Sequence, residues 1–267
     1  MSYVGYYNGA FLKECDIHLP IDNLAFTRGY SAFELLRTYK QEPFYLEAHL
    51  ERFFASIALL ELPKPTVNLE EIIQRLLILN PNEEFVFRLY WSEDLLVILT
   101  GKVVELPPSL YQNGIAVMTT PLARTIPLAK TTNYLAGQIA LKQASRLGAD
   151  EALYTNQEDE LLELTRANFF CVMEDKLYTP KEGILFGITR RVVIEAAKEL
   201  GIEVVEGPIE KKEIPHFKEA FLTSTLKEVL PISKIDSFAI PMGPLAKELR
   251  AAFPKSASRL ATLYHSQ

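Results

Sequence analysis

With 267 residues, 48% of them hydrophobic, the chain can build one large or two moderate domains around a substantial core. A net charge of −6 excludes the basic surface that a nucleic-acid partner requires, and two cysteines, Cys15 and Cys171, make neither a disulfide framework nor a zinc set. No apolar run approaches the ~18 residues of a membrane span, and the first residues lack the charged start and apolar core of a signal peptide, so a cytoplasmic chain without metal or membrane contact is expected.

Residues 3–7 and 10–13 flank Asn8-Gly9, a pair that supplies the positive φ angles of a type I′ turn, which predicts a hairpin. Residues 31–39 alternate faces as a strand does, with Phe33, Leu35 and Arg37 on one of them. Residues 46–60 space Leu50, Phe53, Phe54, Ile57 and Leu60 along one side of a helix. Arg52 stands beside that stripe, within reach of surface charges such as Glu47 and Glu51. His49 reads as structural, because nothing nearby completes a metal set or a triad. A second amphipathic helix over 69–79 is closed by Asn80-Pro81-Asn82. Residues 85–90 and 95–100 read as strands, and Arg88 is an unusual charge inside the first, of the kind an edge strand accommodates. Leu106-Pro107-Pro108 marks an irregular stretch, and 115–119 a further strand.

Residues 121–129 carry two prolines and little periodicity, and they separate a small α/β domain over 1–120 from a second domain over 130–267. Lys130 opens that second domain, at the cleft where a ligand would be expected. It follows the apolar Ile126, Pro127, Leu128 and Ala129. Burial there would lower its pKa toward the neutral amine that attacks carbonyls. A lysine with its stem along the surface and its head in water is the alternative. A helix beginning at Thr131 or Thr132 would present Leu135, Ile139, Leu141 and Ala144. Asp150-Glu151-Ala152 starts a strand, and Glu163 sits in a strand-like L-L-E-L, where a carboxylate among leucines calls for a cationic partner.

Residues 183–200 form a loop feeding a helix whose apolar face is Val192, Val193, Ala196, Ala197 and Leu200, with Gly201 as its C-cap. Gly187-Ile188-Thr189-Arg190 at the helix start offers free N–H groups and the positive dipole end to an anion, and Thr189 also suits an N-cap. Residues 220–232 read A-F-L-T-S-T-L-K-E-V-L-P-I, in which Lys227 either brings a charge to a pocket or faces solvent. An amphipathic helix over 243–253 follows.

Together these stretches resemble the fold-type IV pyridoxal-phosphate enzymes, the class IV family of branched-chain and D-amino-acid aminotransferases and aminodeoxychorismate lyase. The residues that carry the resemblance are Lys130 with Asn133 and Tyr134-Leu135, the Asp150-Glu151-Ala152 strand, Glu163-Leu164-Thr165-Arg166-Ala167-Asn168-Phe169-Phe170, Gly187 to Arg190, and the 220–232 block. Leu164 stands where relatives often have glycine, and Leu226-Lys227 where branched-chain enzymes have two alanines lining the substrate pocket. No Walker or dinucleotide-binding glycine motif and no internal repeat competes.

The resemblance implies an α+β fold of two domains, the larger with a barrel-like sheet, and pyridoxal 5′-phosphate in the cleft between them. It makes Lys130 the catalytic residue, holding the cofactor as a Schiff base and then moving a proton. It assigns Glu163 to the pyridine nitrogen, and Arg52, Ile188, Thr189, Ser224 and Thr225 to the phosphate. Asn168 would support a loop. Phe33, Arg88, Tyr134, Leu226 and Lys227 would face the substrate, although Val86 replaces the tyrosine that precedes this arginine in branched-chain enzymes. The implied activity is amino transfer between an amino acid and a 2-oxo acid in a homodimer. Two alternatives remain open: aminodeoxychorismate lyase, releasing pyruvate and 4-aminobenzoate for folate, and a catalytically silent relative that only binds the cofactor.

Overall fold

The computed structural model describes residues 3–81 and 84–253. Asn82 of the expected helix stop and residues 254–267 of the expected second domain lie outside them. The chain divides into two compact α+β units, and the division is not the expected one at 121–129. Glu105–Leu128 joins Tyr134–Phe253, whereas Ala129–Asn133 joins Met1–Val104. The reason is backbone pairing: Phe33 N–H donates to Lys130 O (2.8 Å), Thr132 N–H donates to Ser31 O (3.0 Å), and Thr131 bridges Ala32.

The first unit is an antiparallel sheet with helices on it. Its elements are β1 (Val4–Tyr7), β2 (Ala10–Lys13), α1 (Leu24–Arg28), β3 (Ala32–Tyr39), β4 (Glu42–Pro43), α2 (Leu46–Leu59), α3 (Leu69–Leu79), β5 (Phe85–Ser92) and β6 (Leu95–Lys102). The strand order is β2-β1-β6-β5-β3-β4. The β1–β2 turn takes positive φ at both Asn8 (41°) and Gly9 (98°), as the Asn-Gly pair predicts. On β3 the period of two sends Ala32, Glu34 and Leu36 inward, each 0% exposed, while Phe33 and Leu35 are half-buried on the opposite face. The inward side chains meet Phe53 and Ile57 of α2, Ile73 and Leu76 of α3, and Phe87, Leu89 and Ile98 of the sheet. Each large apolar side chain buried this way contributes roughly 1.5–3 kcal/mol. Arg88 is not on an edge, since β5 pairs with β3 on one side and β6 on the other. Its guanidinium lies over Gly101 of β6, where an added Cβ would come within 2.9 Å of Nη1 and push the end of the arginine aside.

The second unit contains α4 (Pro108–Asn113), β7 (Ile115–Thr120), α5 (Leu135–Arg146), β8 (Glu151–Thr155), β9 (Leu161–Leu164), β10 (Ala167–Met173) and β11 (Lys176–Thr179). It continues with α6 (Ile188–Glu199), β12 (Val204–Glu206), β13 (Glu219–Ser224), β14 (Glu228–Ile235), β15 (Phe238–Ala239) and α7 (Leu245–Ala252). The strand order runs β10-β13-β14-β7-β8-β9, and β9 pairs back onto β10, which closes six strands into a barrel. Alternate residues fill it, among them Val117, Leu153, Phe169, Cys171, Leu222, Leu230 and Ile232.

Three local expectations change. The stretch after Pro107 is a short helix with proline in its first turn, where a missing N–H costs nothing. α5 begins at Leu135 because Thr131 and Thr132 are taken up by the first unit's strand. Its buried face is Gly137, Ala140 and Ala144, leaving Leu135 and Ile139 exposed. At the end of α6, Leu200 is exposed and the left-handed Gly201 (φ 76°) follows it.

Candidate active site

In the first unit, Lys130 is fastened by its backbone. Its N–H donates to Ser56 Oγ (3.0 Å), its carbonyl accepts from Phe33, and its ammonium rests over the Phe33 ring, 4.4 Å from the centroid. Phe33 itself stacks on Tyr90, with ring centroids 6.2 Å apart. Lysine and aromatic ring thus share the sheet face opposite the core.

Arg52, on α2, pairs with Glu34 of β3. Its Nε and Nη2 donate to the two oxygens of Glu34 at 2.9 and 2.6 Å, a bidentate fork on a carboxylate that is 0% exposed. His49, one helical turn earlier, places Nδ1 3.1 Å from Glu34 Oε1. Burial pushes the Glu34 carboxyl up, but the Arg52 and His49 charges and hydrogen bonds outweigh it and hold it well below the ordinary 4.5. Burial lowers the His49 pKa against the pull of Glu34, and a carboxylate can only accept, so Nδ1 carries the proton between them. This structural role for His49 matches its sequence reading.

Glu34 escaped that reading although the signal was there: a carboxylate in phase with Ala32 and Leu36 demands a buried cation. Glu34→Gln is expected to destabilise the protein by about 3–5 kcal/mol near neutral pH, because Arg52 is left without its counter-ion. A depressed folded pKa gives stability that is present above the unfolded value and lost as pH falls through the folded one. The gap between wild type and Glu34→Gln in urea denaturation therefore narrows as pH drops below 4.5. A gap independent of pH would refute the assignment.

In the second unit, Glu163 lies on β9 and is 4% exposed. Its cationic partner is Arg124, whose Nη1 donates to Oε1 at 2.6 Å. Oε2 accepts from Leu185 N–H (3.1 Å) and faces Asn168 Nδ2 (3.4 Å), which also donates to Leu185 O (2.7 Å). Asn168 lies in β10, not in a loop, yet it holds the loop ahead of α6. It sits opposite both Glu163 and Thr223 in the ladder, and the buried Thr223 hydroxyl has no hydrogen-bond partner among the described residues.

That loop delivers Gly187 to the start of α6, where no side chain caps the helix. A Cβ at Gly187 would fall 2.1 Å from Asn168 Oδ1, so this close approach requires glycine. Ile188 and Thr189 follow in the first turn, both buried. Ser224 ends β13 and Thr225 begins the turn into β14.

Tyr134 and Lys227 converge on Glu151, the first residue of β8. The Tyr134 hydroxyl donates to Thr165 O, and burial raises its pKa. Lys227 does not face solvent: its Nζ is 3.4 Å from Glu151 Oε2. Nearby, the Tyr154 hydroxyl is buried without a hydrogen-bond partner among the described residues, and burial pushes its pKa up to about 12. Arg124 and Tyr154 were not singled out from the sequence, and Glu151 was noted only within its strand motif, because their partners lie on strands that only the barrel brings together.

Residues 31–235 match the family model described as amino-transferase class IV. A putative branched-chain-amino-acid aminotransferase of Methanocaldococcus jannaschii is 31% identical over 93% of this chain and 94% of its own length. The aminodeoxychorismate lyase of Bacillus subtilis is 26% identical over 86% of each. Among solved structures, the branched-chain aminotransferase of the archaeon Thermoproteus uzoniensis with norvaline superposes with a TM-score of 0.86 at 26% identity, covering 95% of this chain and 94% of that one. A further branched-chain amino acid aminotransferase, solved with pyridoxamine 5′-phosphate, gives a TM-score of 0.88 at 28% identity over 95% of this chain and 93% of its own.

Proposed function

The chain belongs to the class IV aminotransferase family, and from that premise we propose that it transfers an amino group between an amino acid and a 2-oxo acid with pyridoxal 5′-phosphate as cofactor. The observation that carries this reading is Lys130, fixed through both backbone groups with its ammonium against Phe33.

The residues present fit that cofactor. Glu163 is a buried carboxylate that needs a positive partner; Arg124 provides one here, and a protonated ring nitrogen would provide the same charge. The start of α6, where no side chain caps the helix, and the Thr223 hydroxyl, which has no hydrogen-bond partner among the described residues, offer donors to a phosphate. When bound, the cofactor supplies an aldehyde that condenses with amines and a ring that accepts the electron pair released at the substrate's α-carbon.

The chain's own groups do the rest. Lys130 Nζ would hold the cofactor and, freed by the incoming amino group, would move the proton between the substrate's α-carbon and the cofactor's C4′ carbon. Its fixed backbone limits the arc that Nζ can sweep. Glu163 would hold the ring nitrogen protonated. Arg52, the N–H groups of Ile188 and Thr189, and the Ser224 and Thr225 hydroxyls bind the phosphate, while Glu34 presets the Arg52 fork. Phe33, Arg88, Tyr134 and Leu226 would face the substrate, with Arg88 meeting its carboxylate, whereas Lys227 turns its ammonium to Glu151.

The relative named aminodeoxychorismate lyase keeps pyruvate elimination as a second reading. Incubation with amino acids and 2-oxoglutarate is expected to yield glutamate, and incubation with aminodeoxychorismate no pyruvate. Pyruvate release without transamination would overturn amino transfer in favour of the lyase, and inertness in both assays would favour a silent binder. The reading includes a homodimer, supported by exposed Leu135 and Ile139 on α5 and exposed Ile126 and Leu128 before it. Among the described residues no helix is long and apolar enough to cross a membrane.

A further inference from the structure

Glu151 is 0% exposed, and its partners come from two separate turns. Thr165 and Arg166 form the two-residue turn between β9 and β10, directly after Glu163 and Leu164. The Thr165 hydroxyl donates to Glu151 Oε1, and Arg166 donates to Oε2 from Nε at 3.3 Å and Nη2 at 3.1 Å. Lys227 belongs to the turn between β13 and β14 and brings Nζ to 3.4 Å of the same Oε2.

The backbone of Lys227 is tied as well. Its N–H donates to Ser224 Oγ (3.3 Å), and its carbonyl accepts from the Tyr111 hydroxyl (3.3 Å). A lysine side chain only 23% exposed carries a desolvation cost that an aliphatic side chain in the same turn would avoid. What the ammonium adds is a tie of fixed length, through one carboxylate, between the two turns.

We propose that Lys227 is a positioning residue: acting through Glu151, it fixes the β13–β14 turn, and with it the Ser224 and Thr225 hydroxyls, in place to receive a phosphate. The phosphate clause rests on the function proposed above; the fixing of the turn does not.

The test compares wild type with Lys227→Met and Lys227→Arg, all prepared without cofactor. Amide hydrogen exchange of the peptide spanning 224–228 is expected to quicken about tenfold in Lys227→Met and to return to the wild-type rate in Lys227→Arg, as loss of one charge-assisted bond would give. Affinity for pyridoxal 5′-phosphate is expected to fall about tenfold in Lys227→Met, while affinity for pyridoxal, which lacks the phosphate, stays unchanged. Unchanged exchange in Lys227→Met, or an equal loss of affinity for both ligands, would overturn the proposal. Should Lys227→Met fail to fold, Glu151→Gln removes the same charge pairing at constant size and is expected to show both effects. A wild-type protein that binds the two ligands equally would refute the phosphate reading, and the exchange comparison would still decide the role of Lys227.

Discussion

Replacing Lys130 with alanine is expected to lower kcat for amino transfer by about 10³–10⁴-fold, the scale of losing a positioned proton-transfer group, while leaving the fold intact. The two halves of that expectation have different sources in the structure. The hydrogen bonds of Lys130 to Ser56 and Phe33 are made by its backbone and survive truncation. The side chain contributes a contact with the Phe33 ring, of about 0.5–1 kcal/mol for an exposed or half-buried cation. Against this, a 10³-fold loss corresponds to about 4 kcal/mol of transition-state stabilisation. Stability and activity should therefore separate: urea midpoints nearly equal, turnover nearly absent. Borohydride treatment of the wild-type protein with bound cofactor should fix the cofactor's mass on the peptide containing Lys130. Turnover in Lys130→Ala within tenfold of wild type would end the assignment.

Glu163→Gln should lower kcat by about 10²–10³-fold, the range seen when one preorganised electrostatic group aimed at developing charge is removed. Glutamine preserves size and can still accept from Leu185 N–H, so the loop before α6 keeps its anchor. The charge is what disappears, and with it the means that the proposed function assigns to Glu163 of keeping a ring nitrogen protonated. Arg124, only 15% exposed, is simultaneously left without its carboxylate, so a stability loss of about 3 kcal/mol should accompany the kinetic one. Pairing the variant with Arg124→Met distinguishes the two effects: stability should recover in the double mutant and turnover should not. Recovery of turnover would mean that Glu163 serves only to neutralise Arg124.

The elements of this protein were largely legible in its sequence, because period and punctuation are local. Asn8-Gly9, the alternation over β3 and the stripes of α2 and α3 each carry their own signal. The start of α5 was misplaced because Thr131 and Thr132 answer to a strand about a hundred residues away, which no window on the helix can register. The exposed side of α5 was misread for a related reason: its core contact is made by glycine and alanines, so Leu135 and Ile139 gave the stronger but misleading stripe. Barrel closure through β9 and β10, and the parallel β14–β7 pair, are long-range and left no local trace.

Charged side chains divide in the same way. Glu163 was noticed because leucines surround it in sequence, but Arg124 could be named as its partner only after the strands were in register. The edge-strand alternative for Arg88 stayed open in the sequence because the place that accommodates its guanidinium lies over Gly101 on a different strand.

Because Ala129 is 0% exposed in the first unit's core and the following residues pair with β3 there, that unit is not covalently complete at Val104. On the ribosome, the N-terminal sheet must wait until Asn133 has left the exit tunnel. By then β7 has already emerged, with neither β8 nor β14 yet outside the tunnel to pair with it. Emergence order thus ties maturation of the lysine-bearing segment to the half-built state of its neighbour, and severing the polypeptide near Val104 would leave the N-terminal fragment without its last stretch of backbone.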